Sequence, residues 1–193
     1  MGLISDIKTI KRKDPAARHF LEILLTYNGM HAVWIYRLTH VLWIIKLKLI
    51  ARLIAGIARV LTGVEIHPAA KLGKNVVIDH GTGVVIGETS IIADDVLIYH
   101  GVTLGGTGNE GSKKRHPTIC TGAMIAAGAK ILGDIHVGAY SKVGANAVVL
   151  KDVPDYATAV GIPARIIKGK DSDETVCSLE LKKENEQRKR SVS

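Results

Sequence analysis

The sequence predicts a mainly β protein: a triangular parallel β-helix over residues 63–163, with an N-terminal α-helical segment over 1–62 and a tail over 164–193. Three observations carry this. Aliphatic residues recur at every sixth position through Ile119, Ile125, Ile131, Val137, Val143 and Val149, and the same beat runs Ile66, Leu72, Ile78, Val84, slips by two, and resumes at Ile86, Ile92, Ile98 and Leu104. A period of six is not helical. It implies about ten short strands, none able to bury its apolar side chain alone, whereas three-strand coils stacked on one another bury a continuous column. Small residues, Ala123, Ala129, Ser141 and Ala147, sit two places before later hexad positions, where a narrow corner needs them, with Ile135 the exception. Gly73, Gly87, Gly138 and Gly144 each follow an aliphatic position directly, which suits a chain turning tightly every six residues.

The elements follow in order. Asp14 followed by Pro15 reads as an N-cap with proline at the first helical position, so helices are expected over 15–62, punctuated at Gly29. From Ala32 to Leu61 the chain is strongly apolar, but Arg37, His40, Lys46, Lys48, Arg52 and Arg59 break every window of about 18 apolar residues that a membrane span needs. Such a helix suits packing on the solenoid and on sister subunits, since solenoid ends and faces need covers. The alternative is a cationic amphipathic helix lying on an anionic membrane, with Trp34, Tyr36 and Trp43 at the interface. Within the coil the gap of fifteen from Leu104 to Ile119 is not a multiple of six, so an excursion is expected over 105–117, GGTGNEGSKKRHP. No helix is expected to open at its glycines and no GK[ST] follows, so it is neither a dinucleotide fingerprint nor a phosphate loop. Residues 170–193 are polar and read as a solvated tail.

The net charge of +8 is concentrated in residues 1–62, and the solenoid is close to neutral. One Phe, no aromatics interleaved with Lys and Arg, and no helix-turn-helix or zinc-finger spacing argue against nucleic acid. Cys120 and Cys177 form no CxxC and no disulfide framework is expected, which points to a cytoplasmic protein.

A solenoid presents polar groups on its corners and between copies, which draws attention to Glu65, Asp79, His80, Arg115 and His116. With about 18 residues per coil, Glu65 stacks under position 83, so Glu65 and His80 are expected on one side of the triangle, within reach of each other. A carboxylate beside a neutral imidazole fixes its tautomer and steadies the imidazolium formed when the ring takes a proton from an alcohol. An Arg-His pair in a long insert suits a carboxylate clamp. His116 has Thr121 five residues on, and neither His80 nor His100 has a histidine partner at that spacing, so the ligand count for a shared three-histidine zinc site fails and no metal is expected.

The segments GVEIHPAAKLGKNVVIDHGTGVVIGETSII, GVTLGGTG, RHPTI and VGIPARI resemble serine O-acetyltransferases of the hexapeptide-repeat acyltransferase superfamily, over about Asp14 to Arg165. The resemblance implies a left-handed hand for the β-helix. It implies transfer of acetyl from acetyl-CoA to the hydroxyl of L-serine, with His80 as general base, Glu65 as its carboxylate partner where the family has Asp, and no acyl-enzyme. Asp14 and Asp79 would hold the serine ammonium, and Arg115 and His116 its carboxylate. CoA would lie between coils of two subunits against Gly105, Gly106, Ala127 and Ala145, with Lys142 or Arg165 near its phosphates. Also implied are a homotrimer with sites between subunits and feedback inhibition by cysteine. A dimer of trimers, and a complex with cysteine synthase given the ending Ser191-Val192-Ser193, stay open, since only 13 residues precede Asp14. The alternative acceptor for the same donor is a sugar, homoserine or a xenobiotic alcohol.

Overall fold

The computed structural model describes residues 3–108 and 114–169. Four helices come first: α1 (Leu3–Lys13), α2 (Phe20–Thr26), α3 (Asn28–Ile44) and α4 (Lys48–Thr62). The helical start differs from the sequence reading. Asp14 does not cap a helix at Pro15; it follows α1, its N–H bonding the Ile10 carbonyl at 2.8 Å, and its side chain accepts the Ala16 N–H at 2.8 Å in a turn before α2. Pro15 is the physical reason, because proline disfavours the helical conformation of the residue before it and so ends α1. α1 carries Asp6 in its first turn and Lys11, Arg12 and Lys13 in its last, complementing the helix dipole. It buries Ile7 and Ile10 against Ile23, Met30 and Val77, tying the helices to the solenoid.

The solenoid consists of short strands in three-strand coils. The first coil is β1 (Glu65–Ile66), β2 (Lys71–Leu72) and β3 (Val77–Asp79); the second is β4 (Val85–Ile86), β5 (Ile91–Ile92) and β6 (Leu97–Tyr99). The third is β7 (Thr103–Gly105), β8 (Thr118–Ile119) and β9 (Met124–Ile125); the fourth is β10 (Lys130–Leu132), β11 (His136–Val137) and β12 (Lys142–Val143). β13 (Val148–Val149), β14 (Thr158–Val160) and β15 (Arg165–Ile167) close the top. Stacking gives three parallel sheets, β1-β4-β7-β10-β13, β2-β5-β8-β11 and β3-β6-β9-β12-β14, with β15 antiparallel on the end of the third. Each of β1 to β13 carries one hexad aliphatic, so the expected ten strands undercounted. The exception is Val84, which is buried in the turn before β4.

Ile86, Ile92, Ile98, Leu104, Ile119, Ile125 and Ile131 are essentially fully buried and form the central column. At about 1.5–3 kcal/mol per buried aliphatic, this column is the main term holding the coils in register. Register also corrects the coil length. Glu65 pairs with Val85, not with position 83, because the slip of two in the hexad beat lengthens the first coil. The glycines after aliphatic positions do not supply left-handed turns, which fall on Asn75, His80, Asp95, Tyr140 and Asn146 among others. At Gly73 and Gly138 a side chain would strike the backbone of the next corner, so close stacking is what requires glycine there.

No helix among the described residues is long and apolar enough to cross a membrane. Cys120 is disulfide-bonded, against the expectation of a reduced thiol; Cys177 lies outside the described residues, as does most of the expected tail.

Candidate active site

His80 sits at the corner where the chain leaves β3 for β4, exposed and in the left-handed region at φ +59°. Histidine tolerates that conformation better than most residues, and the same left-handed backbone recurs at other corners of the coil, at Asn75, Asp95 and Asn146 among them. The same corner recurs in each coil. Gly101 N–H bonds Thr82, Gly128 bonds His100 and Asn146 bonds Ala127, so His100, Ala127 and Ala145 stack beyond the His80 turn. The His100 ring stands edge-on to His80, with centroids 5.9 Å apart.

The helices build a wall beside this corner. Gly29, at the start of α3, lies so close to β3 that a Cβ would stand 2.8 Å from the Ile78 carbonyl carbon and nearer its oxygen. That contact delivers Tyr27, just ahead of α3, to the His80 corner. The Tyr27 hydroxyl donates to Asp14 Oδ2 at 2.5 Å. Burial, then that hydrogen bond and the charges of Asp14 and Asp79, hold the phenol well above its ordinary range, so it remains a donor. The Tyr27 phenol is therefore bonded to Asp14 and feels the charge of Asp79, the residue before His80. Two carboxylates beside an imidazole suit a ligand carrying an ammonium and a proton to lose.

Glu65 borders the same corner, two residues past Gly63, whose carbonyl takes the Gly83 N–H. Its carboxylate is turned to Arg59, at 3.3 Å, and among the described residues no hydrogen bond joins it to the His80 ring.

Arg115 and His116 lie elsewhere, where the excursion rejoins the coil ahead of β8. The Arg115 guanidinium pairs with Glu88 at 2.5 Å, and that hydrogen bond holds the Glu88 carboxyl below its ordinary range against a smaller push from burial. The buried His116 ring rests over Gly87, where a Cβ would stand 2.8 Å from Cγ and closer still to Cδ2 and Nε2. Thr89 completes the cradle. Its hydroxyl oxygen accepts the N–H groups of Arg115 and His116, each at 3.0 Å, and lies 2.8 Å from His116 Nδ1. Lys114 reaches back to the His116 carbonyl and pairs with Asp134 at 3.3 Å. His67 flanks the cluster, edge-on to Trp43 at 5.1 Å; burial first, then the Arg52 charge, depress its basicity, with Glu88 opposing.

Within one chain the expected residues thus form two groups. His80 and Gly83 precede β4, while Gly87, under His116, follows it; the four residues of extended chain between Gly83 and Gly87 span on the order of 13 Å. Gly105 and Gly106 lie on the His116 side, at the end of β7, whereas Ala127 and Ala145 line the His80 column. Lys142 is exposed on β12, shortly before Ala145, and Arg165 is exposed on β15. The sequence does not single out Tyr27, Glu88 or Thr89, and it brings in His100 only as a rejected metal ligand. Glu88 and Thr89 were in view only as part of the GET segment, and nothing in the sequence marked Tyr27. Among the described residues no group of three or more His, Cys, Asp or Glu side chains could hold a metal ion.

No protein-family model matches the chain. It is 56% identical over 165 residues to the serine acetyltransferase of Bacillus pumilus, covering 86% of this chain and 76% of that protein. A solved serine acetyltransferase in complex with CoA superposes with a TM-score of 0.80 at 50% identity, over 86% of this chain and 68% of the other. A serine acetyltransferase in complex with cysteine superposes at 0.83 and 51% identity, with the same coverage.

Proposed function

This chain belongs to the serine acetyltransferase family, and from that premise we propose that it transfers acetyl from acetyl-CoA to the L-serine hydroxyl by direct attack, with His80 as general base. What supports the reading is an exposed imidazole that follows Asp79 directly, with the Asp79 charge acting on the same phenol that is bonded to Asp14. The two carboxylates hold the serine ammonium. The guanidinium of Arg115 and the imidazole of His116 hold its carboxylate, and Glu65 steadies the His80 imidazolium once the substrate draws the pair together.

In the step itself, a ring nitrogen of His80 takes the hydroxyl proton while the serine oxygen forms its bond to the thioester carbonyl carbon. The carbonyl electrons move onto oxygen, where backbone N–H groups stabilise the charge. Collapse breaks the carbon–sulfur bond, and the departing CoA sulfur takes the proton back from the imidazolium. O-acetylserine and CoA leave, and no acyl-enzyme forms. Acetyl-CoA, drawn from the cytoplasmic pool, runs along the small-residue column of Ala127 and Ala145 with Gly105 and Gly106 of a neighbouring copy, and Lys142 or Arg165 faces its phosphates.

The approximate 13 Å between the two groups of residues supports a site completed between copies, His80 from one protomer and Arg115 with His116 from the next, in a homotrimer. L-cysteine has the same ammonium and carboxylate as serine and would occupy the same clamps as an inhibitor, as the cysteine complex of a relative suggests. Thiol release from acetyl-CoA with L-serine, set against homoserine and a sugar, tests the acceptor. His80→Ala should lower turnover by about 10²–10⁴-fold, and unchanged turnover in that variant would remove the assigned base.

A further inference from the structure

We propose that Thr89 is a positioning residue that fixes His116 as the Nε2–H tautomer, so that the ring offers an N–H donor to the carboxylate of the amino-acid substrate. This rests on the reading of Arg115 and His116 as the carboxylate clamp. The hydrogen-bond inventory of one threonine decides the tautomer. Its hydroxyl oxygen has two acceptor positions and one proton. Both acceptor positions are taken by the backbone N–H groups of Arg115 and His116, at 3.0 Å each. The proton is left for His116 Nδ1, 2.8 Å away. The backbone N–H of Thr89 points at the same Nδ1, at 3.2 Å. A nitrogen that receives two donors carries no proton, so in the neutral ring the proton is on Nε2.

The same residue thus does two things. It closes the return of the excursion by holding two consecutive backbone N–H groups, and it dictates which ring nitrogen is a donor. Gly87 beneath the ring keeps the imidazole seated against Thr89, since any side chain there would displace it. With the hydroxyl absent, Nδ1 loses its hydroxyl donor and keeps the weaker backbone N–H of Thr89, which eases the ring towards the other tautomer. A carboxylate then meets an acceptor nitrogen in part of the population. Glu88 aligns the neighbouring guanidinium.

The test uses the full-length protein labelled with ¹⁵N-histidine. Two-bond nitrogen–proton spectra distinguish the tautomers, and the His116 signals are identified by their loss in His116→Asn. The expected wild-type pattern is Nε2–H at His116, shifting in Thr89→Val towards a mixture and returning in Thr89→Ser. In steady-state thiol release, Thr89→Val should raise the KM for serine about tenfold with kcat and the KM for acetyl-CoA within about twofold, and Thr89→Ser should restore it, one hydrogen bond to a charged group being at stake. A wild-type Nδ1–H signal, or a tautomer unmoved in Thr89→Val, overturns the inference. If the tautomer behaves as expected but His116→Asn leaves the KM for serine unchanged, the carboxylate clamp itself is wrong, and with it the part given to Thr89 in binding.

Discussion

Gly87→Ala is a one-carbon perturbation of the clamp whose cost follows from the structure. The added methyl carbon would stand 2.8 Å from His116 Cγ and closer to Cδ2 and Nε2. Ordinary carbon contacts need about 3.5–4.0 Å, so the ring must retreat by about 1 Å or more. The backbone of Gly87 cannot give way easily, because its N–H is bonded to the Leu104 carbonyl at 3.0 Å within the stacked coils. Retreat of the ring breaks its 2.8 and 3.2 Å contacts with Thr89. A misplacement of about 1 Å at a substrate-positioning group costs on the order of 10²-fold, and the overpacking itself costs about 1–3 kcal/mol of stability. The assay is thiol release with serine varied at saturating acetyl-CoA, with circular dichroism and CoA calorimetry confirming that the variant is folded and still binds the donor. A fall of about 10²-fold in kcat/KM for serine with CoA affinity kept is expected. A folded variant with serine kinetics within twofold of wild type would refute the view that His116 must sit over Gly87 to hold substrate.

Tyr27→Phe removes the hydroxyl that donates to Asp14 at 2.5 Å; the KM for serine should rise about tenfold with the KM for acetyl-CoA unchanged, as for one charge-assisted hydrogen bond, and a parallel rise in both would point to general damage. Asp6 lies under Arg37, at 2.5 and 2.9 Å, and Trp34, at 2.9 Å. Burial pushes its carboxyl upward, but these partners outweigh it and hold it below its ordinary value. A depressed carboxyl contributes stability that is present above its unfolded value, about pH 4, and is lost as the pH falls through the folded value. Denaturant melts should therefore find Asp6→Asn less stable than wild type at pH 7 by about 1–3 kcal/mol, with the gap narrowing below about pH 4; a gap independent of pH would contradict the pairing.

The solenoid was legible because one physical constraint repeats: a strand too short to bury its side chain alone must place an aliphatic at every turn, and thirteen strands do so at Ile66 through Val149. The two-residue slip at Val84 was visible as a change of beat, yet its effect on pairing, Glu65 with Val85, was not, because extra residues can be absorbed at any corner. Helix starts were less legible. Asp14-Pro15 carries an N-cap signature, but the same proline stops α1, and only the packing of Ile7 and Ile10 on Ile23 and Val77 decides which role it takes. Among site residues, the DH and RHP segments stood out by type and spacing. Tyr27 did not, because its part depends on Gly29 letting α3 approach Ile78, a contact between segments about fifty positions apart.

The division of the site between two corners of one chain makes the assembly itself the central claim, and protomer mixing tests it most directly. His80→Ala and Arg115→Ala proteins, each nearly inactive alone, are unfolded, mixed in equal amounts and refolded together. With His80 from one protomer and Arg115 from the next, random assembly leaves about a quarter of the sites with both groups intact, so the mixture should recover about a quarter of wild-type serine turnover. A mixture of intact assemblies that stays as inactive as its two components would contradict a site shared between copies.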